Sequence, residues 1–172
     1  SSKYTKIGID AGHSTNTAGK RTAPFTENVD IDRDGDIDVK KGQQYREHYA
    51  NVMVADKLVT ELKRCKSFKV TIAGFDDEDA SDDNEVTLGA RQTIFRSAGC
   101  DVTVSIHFNA SGGTGKKFDN AEGVSIYIHD SNPVDSKALA EITLKWLRKG
   151  TTQKNRGVNA SGLAMCNCKT MG

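Results

Sequence analysis

No run of apolar residues in this 172-residue chain approaches the roughly 18–20 that a membrane-spanning helix needs. The formal net charge is +1, so no one-sided field points to nucleic acid or to an anionic membrane. Four cysteines, Cys65, Cys100, Cys166 and Cys168, are too sparse and too unevenly spaced for a small disulfide scaffold, and they read as reduced or incidental thiols. The start, SSKYTKIGID, carries no signal-like apolar segment and enters a strand almost at once, so no export route is visible in it. There is no internal repeat and no HExxH signature. Hydrophobic residues make up 36% and charged residues 27%. The apolar deficit is local, confined to polar, acidic stretches at 26–44 and 74–85.

What remains reads as α/β, with a length that fits one domain. Lys6–Asp10 is a strand running into a small-residue loop, AGHSTNTAGKR. The 22–44 segment reads as a polar surface insertion. From about Gln44 to Arg64 the pattern is helical, and at about 100° per residue Glu47, Asn51, Val54, Leu58 and Leu62 share one stripe, with Ala55 and Val59 beside it. Phe68–Phe75 is a second strand, followed by DDEDASDDNE, a solvated loop. Val86–Ala98 is a helix with Leu88, Arg91, Ile94 and Phe95 as its buried side, closed by Gly99. Asp101–Asn109 is a strand nearly continuous in β-formers, as expected of one covered on both faces. Gly112–Asn120 is a lysine-bearing loop, Gly123–His129 a fourth strand, and Ser136–Arg148 a helix that offers Leu139, Ile142, Thr143, Trp146 and Leu147 for packing. A last short strand is expected near Gly162–Cys168. The alternation predicts a three-layer domain, a mainly parallel mixed sheet between helices.

His13 lies just past the first strand and His107 near the end of the third. Ligands of open α/β sheets bind outside the carboxyl ends of the strands, so both histidines reach the edge where a site belongs. Glu47, in the first turn of a helix packed on that sheet, places a carboxylate between them. Two imidazoles and one carboxylate leave an open position on tetrahedral zinc, the catalytic arrangement. Iron and copper use such ligands too, but nothing here suggests redox work. Hydrogen-bonded core histidines, and an acid placed for the helix dipole, are the alternative readings of the same residues.

IDAGH with its small-residue loop and GKR, then ExxxN opening a helix (Glu47 to Asn51), then SIHFNA, resembles the zinc-dependent N-acetylmuramoyl-L-alanine amidase family. The likeness continues through Leu88 and Arg91 in TLGARQTIF, EGVSIYI (Glu122–Ile128) and NRGV (Asn155–Val158), and so covers essentially the whole chain. It implies one zinc ion held by His13, Glu47 and His107. The implied activity is hydrolysis of the amide between N-acetylmuramic acid and L-alanine in peptidoglycan, at the bacterial cell wall, by a secreted or phage-released enzyme. The family's general base is a glutamate on a strand after the NRGV region. Here no glutamate follows Glu141, which lies in a helix without a motif match, and Glu122 starts a strand rather than ending one. The expectation is therefore a domain short of its last strand and helix, with its catalytic base beyond Gly172. Such a domain binds zinc but hydrolyses poorly alone, and its open sheet edge invites a dimer or a complementing C-terminal fragment.

The remaining signals have bland readings. DIDRDGDID (Asp30–Asp38) imitates the start of a calcium loop, but its twelfth position is Lys41, so a solvated acidic loop is preferred over bound Ca2+. The CxC of Cys166 and Cys168 lacks a partner pair for a soft metal, and Cys65 and Cys100 read as small packed groups. His48 should point about 100° away from Glu47 and so off the metal. His129 reads as a surface histidine, and Lys116 and Lys117 as a solvated pair that could also meet stem-peptide carboxylates. Asn109, two residues past His107, is the candidate for substrate contact. Two rivals stay open: a zinc peptidase cutting stem peptides, and a zinc-containing wall-binding or regulatory module without activity. Phage lysin, autolysin and sporulation enzyme are not separated by sequence.

Overall fold

The structure is a computed structural model describing residues 4–109, 117–118 and 121–168. The chain divides into two compact units, Ser1–Asp119 and Asn120–Gly172. The first contains β1 (Thr5–Ala11), α1 (Glu47–Lys63), β2 (Phe68–Ala73), α2 (Leu88–Ala98) and β3 (Val102–Ile106). The second contains β4 (Val124–Ile128), α3 (Val134–Leu147), β5 (Asn155–Ala160) and a short 3-10 turn at Ala164–Cys166. No helix among the described residues is long and apolar enough to cross a membrane.

In the first unit the strand order is β2-β1-β3, parallel throughout, with Ile9 beside Ile72 and Val104. Strand alternation gives this sheet two different faces. Ile7, Ile9 and Ala11 point to one side and form the core with Val52, Ala55 and Val59 of α1. Gly8 and Asp10 point to the other, against Phe95 and Arg91 of α2. A Cβ on Gly8 would stand 2.6 Å from Phe95 Cδ1, so the bare Cα is what lets α2 approach. Helix, sheet and helix are thus stacked as the alternation predicts.

α2 is well delimited: Thr87 Oγ1 accepts from the Ala90 amide, and Gly99, at φ 64°, ends the helix in the left-handed region. The 22–44 insertion leaves and returns at one place. Arg21 bridges Arg46, the Thr22 amide donates to Tyr45 O, and the Phe25 amide donates to Gln43 O. The Glu47 amide then donates to Lys20 O at 2.9 Å, which satisfies one free N–H of the α1 start. That closure returns the chain beside the loop it left, carrying Glu47 with it.

Several expectations need correction. The buried line of α1 runs through His48, Asn51, Val52, Ala55 and Val59, while Val54, Leu58 and Leu62 are only partly covered. On α2, Arg91 and Phe95 are buried but Leu88 and Ile94 are exposed, because one helix against a three-stranded sheet covers a narrow stripe. α3 buries Ala140 and Leu144 and leaves Leu139, Ile142, Trp146 and Leu147 exposed. The last strand is Asn155–Ala160, parallel to β4, and Gly162–Cys168 is not a strand. Cys65 is exposed rather than packed. Lys117 is exposed, and Lys116, with most of the Gly112–Asn120 loop, lies outside the described residues.

Candidate metal centre

β1 ends at Ala11 and β3 at Ile106, neighbours in the sheet, and the Gly12 amide extends their ladder by donating to Ile106 O. The residues that follow, His13 and His107, therefore leave the sheet side by side. Their rings meet edge to face, with centroids 4.9 Å apart and planes at 89°. Glu47 Oε1 is 3.2 Å from His13 Nε2 and 3.2 Å from His107 Nδ1. One ligand-type atom from each of the three residues lies within 4.8 Å of the others.

Glu47 is buried, whereas the side chain of His107 is 34% exposed, so the group opens to solvent on the imidazole side. Burial pushes the Glu47 carboxyl up, but hydrogen bonds from His107 and His13, and their charge, outweigh it and hold the group at about 2. The carboxylate is thus ionised across the whole physiological range. An ionised, nearly enclosed carboxylate between two imidazoles is a donor set that fits a zinc ion with room for a further ligand. The space is prepared as well. A Cβ on Gly12 would overlap the His107 ring, so the imidazole rests on a bare Cα.

The backbone that carries His13 is held in an uncommon way. His13 has φ 66°, a left-handed conformation rare for a residue with a Cβ. Arg91, almost fully buried, pairs with Asp10 at 2.7 Å and donates to the carbonyls of Ala11 and His13. The intervening Gly12 carbonyl accepts from His48 Nδ1 and from Asn51 Nδ2, each at 2.8 Å. His48 is fully buried, and its Nε2 meets Asp83 Oδ2 at 2.7 Å. Burial raises the Asp83 carboxyl above its usual range, against the lowering effect of that hydrogen bond.

The 76–85 stretch read as a solvated loop is in part packed against the His13 loop. Asp83 and Ala80 are buried, Ser14 Oγ donates to Glu85 at 2.6 Å, and Thr15 Oγ1 donates to Ala80 O at 2.6 Å. Sequence reasoning passed over Asp83 and Glu85 because acid-rich composition masks the few acids that have partners. It placed His48 off the metal group, where the structure also has it, without finding what His48 holds.

Asn109 is exposed two residues beyond His107. Asp30, Asp32 and Asp38 do approach one another, within 4.8 Å. Their oxygens are engaged by the loop and by α1: Asp30 accepts from the Arg33 and Gly35 amides, Asp38 from the Ile31 amide, and Asp32 from the Asp34 amide and from Lys57 of α1. Among the described residues no cysteine belongs to a metal-competent group, and Cys166 Sγ donates to Tyr127 O. His129 meets Ser131 Oγ at 2.8 Å and Asp130 at 3.1 Å.

At the carboxyl edge of a parallel sheet, two histidines from the strand ends and a glutamate from α1 thus form a group that could hold a metal ion. A family model described as N-acetylmuramoyl-L-alanine amidase matches residues 7–171, and the chain belongs to that family. Solved structures agree in fold. The N-acetylmuramoyl-L-alanine amidase from Clostridium difficile 630 is similar with TM-score 0.72 and 23% identity, over 99% of this chain and 76% of its own. The catalytic domain of CwlV, an N-acetylmuramoyl-L-alanine amidase from Bacillus (Paenibacillus) polymyxa var. colistinus, gives 0.65 and 24%, over 97% and 75%. The apo form of the N-acetylmuramyl-L-alanine amidase Ami1 from Mycobacterium abscessus gives 0.60 and 17%, over 95% and 78%. No curated protein matches the chain.

Proposed function

We propose that this chain binds one zinc ion through His13, Glu47 and His107 and that the site serves hydrolysis of the amide between N-acetylmuramic acid and L-alanine in peptidoglycan. The observation that carries the reading is the convergence of two imidazoles, His13 and His107, on one ionised, buried oxygen of Glu47 at the carboxyl edge of the sheet. A zinc ion held by these three side chains would supply Lewis acidity towards the scissile carbonyl and the attacking water at neutral pH.

The chain's own residues would hold the ion and meet the substrate. Buried Glu47 would offset the ion's charge, with the more exposed imidazoles of His13 and His107 as the other two ligands. His107, the most exposed of the three, marks the side from which the muramyl–alanine bond enters. Asn109, exposed on the same segment, is the side chain we assign to substrate contact.

The test is product analysis joined to metal dependence. Peptidoglycan treated with zinc-loaded protein at high concentration should gain free L-alanine amino termini, and His13→Ala, Glu47→Ala or His107→Ala should abolish the gain. New termini within the stem peptide instead would make the protein a peptidase. Zinc binding with no product at any concentration would leave it a wall-binding module.

A further inference from the structure

We propose that His48, Asn51 and Arg91, with Asp83 behind His48, are positioning residues of the metal centre, acting as a two-sided clamp on three consecutive carbonyls. The inference rests on the zinc reading of His13, Glu47 and His107 given above.

Three consecutive carbonyls, at the point where β1 gives way to the left-handed His13, are taken by side chains from two helices. Those of Ala11 and His13 turn towards α2, where one guanidinium takes both; that of Gly12 turns towards α1, where His48 and Asn51 take it together. A carbonyl only accepts, so His48 donates from Nδ1 and Asn51 presents its amide nitrogen. The orientation has a cost: Asn51 Oδ1 is buried without a partner among the described residues. Turning the amide over would set oxygen against oxygen, so the donor to Gly12 is the contact the site keeps.

The clamp accounts for the His13 backbone. A left-handed non-glycine residue persists only where its surroundings over-determine it. Here the carbonyls of Gly12 and of His13 itself are both fixed by buried side chains, and the next residue, Ser14, is tied through its hydroxyl to Glu85. The same Gly12 is the seat of the His107 ring. One backbone position thus sets two of the three metal-facing side chains, and the clamp sets that position.

The experiment uses Asn51→Leu, which removes a donor at similar volume, and Arg91→Lys, which keeps a charge opposite Asp10 but loses the fork that spans two carbonyls. Zinc dissociation constants are measured by chelator competition, and cobalt is substituted to read coordination geometry from its visible spectrum. In the zinc-free protein, the nuclear Overhauser contact between the His13 and His107 rings is followed by NMR, with circular dichroism to confirm folding. Both variants should stay folded, bind zinc about 10- to 100-fold more weakly, show an altered cobalt spectrum and lose the ring-to-ring contact. Folded variants that keep the contact and the unsubstituted cobalt spectrum and zinc affinity overturn the clamp. If the unsubstituted protein fails to bind zinc, the zinc reading falls instead, and the ring-to-ring contact in the zinc-free variants still decides for or against positioning.

Discussion

The His107 imidazole occupies the space that a Cβ on residue 12 would fill, so Gly12 is a seat for the ring as well as a link in the sheet ladder. Gly12→Ala should push the ring away from Glu47 while leaving the strand pairing of β1 and β3 in place. Overpacking of this kind costs about 1–3 kcal/mol where the neighbour cannot yield. The ring, about a third exposed, can yield, so the effect should fall on the metal rather than on the fold. Zinc affinity is expected to drop about 100-fold or more by chelator competition, with the zinc-free melting temperature lowered by only a few degrees. Unchanged affinity would show that His107 is not held by this contact.

Zinc should stabilise the folded chain. A ligand that binds only the native state adds about 2.7 kcal/mol when present at 100 times its dissociation constant. Thermal unfolding should therefore shift upward on adding zinc and return on adding a chelator. The shift should vanish in Glu47→Ala, because the carboxylate is the atom both imidazoles share. A zinc-induced shift that persists in all three single alanine variants of His13, Glu47 and His107 would place the ion elsewhere.

The meeting of His13, Glu47 and His107 was legible because each is a strong residue type at the end of a regular element: His13 after an apolar strand, His107 after the most β-rich segment, Glu47 opening a long helix. The contacts that hold them were not, although Asn51 stood out in ExxxN and Arg91 in TLGARQTIF. His48, Asn51 and Asp83 act through contacts 35 to 39 residues apart in sequence, which no local pattern reports. β5 escaped for a different reason. NRGVNA has little β-propensity, its partner register shifts between Val124 and Ile126, and Gly157 sits at φ 79°, so backbone pairing rather than side-chain type makes the strand. On α3 the five residues named for packing are all exposed and Ala140 and Leu144 were passed over, because periodicity cannot say which of two apolar lines meets the sheet.

Acid should weaken the zinc-free protein through Glu47. Burial raises its carboxyl, hydrogen bonds from His107 and His13 lower it further, and the folded value is about 2 against an ordinary 4.5. A depressed carboxyl favours folding above the unfolded value, so this contribution is full above about pH 5 and is lost as pH falls towards 2. The difference corresponds to roughly 3–3.5 kcal/mol at its full extent. Urea unfolding of the zinc-free chain between pH 5.5 and 2.5 should show a stability loss that is visibly smaller in Glu47→Gln. Parallel losses in both proteins would remove Glu47 as the source.

Hydrolysis by these 172 residues alone should be slow even when zinc is bound. A group must accept the water's proton and return it to the leaving amine, and no glutamate follows Glu141. In the unit that carries the site, the two acids drawn to the His13 loop are already engaged: Asp83 by His48 and Glu85 by Ser14. Withholding a positioned base while keeping the metal costs on the order of 10²–10⁴ in rate. The comparison to make is cell-wall clearing at equal zinc loading by this polypeptide and by one extended with a strand that bears a glutamate. The extended protein should be faster by that factor, with zinc affinity unchanged. Rapid, zinc-dependent clearing by the 172 residues alone would mean that a carboxylate already present serves as the base. Glu85→Gln would then be the first variant to make, since Glu85 is the exposed glutamate hydrogen-bonded to the residue after His13.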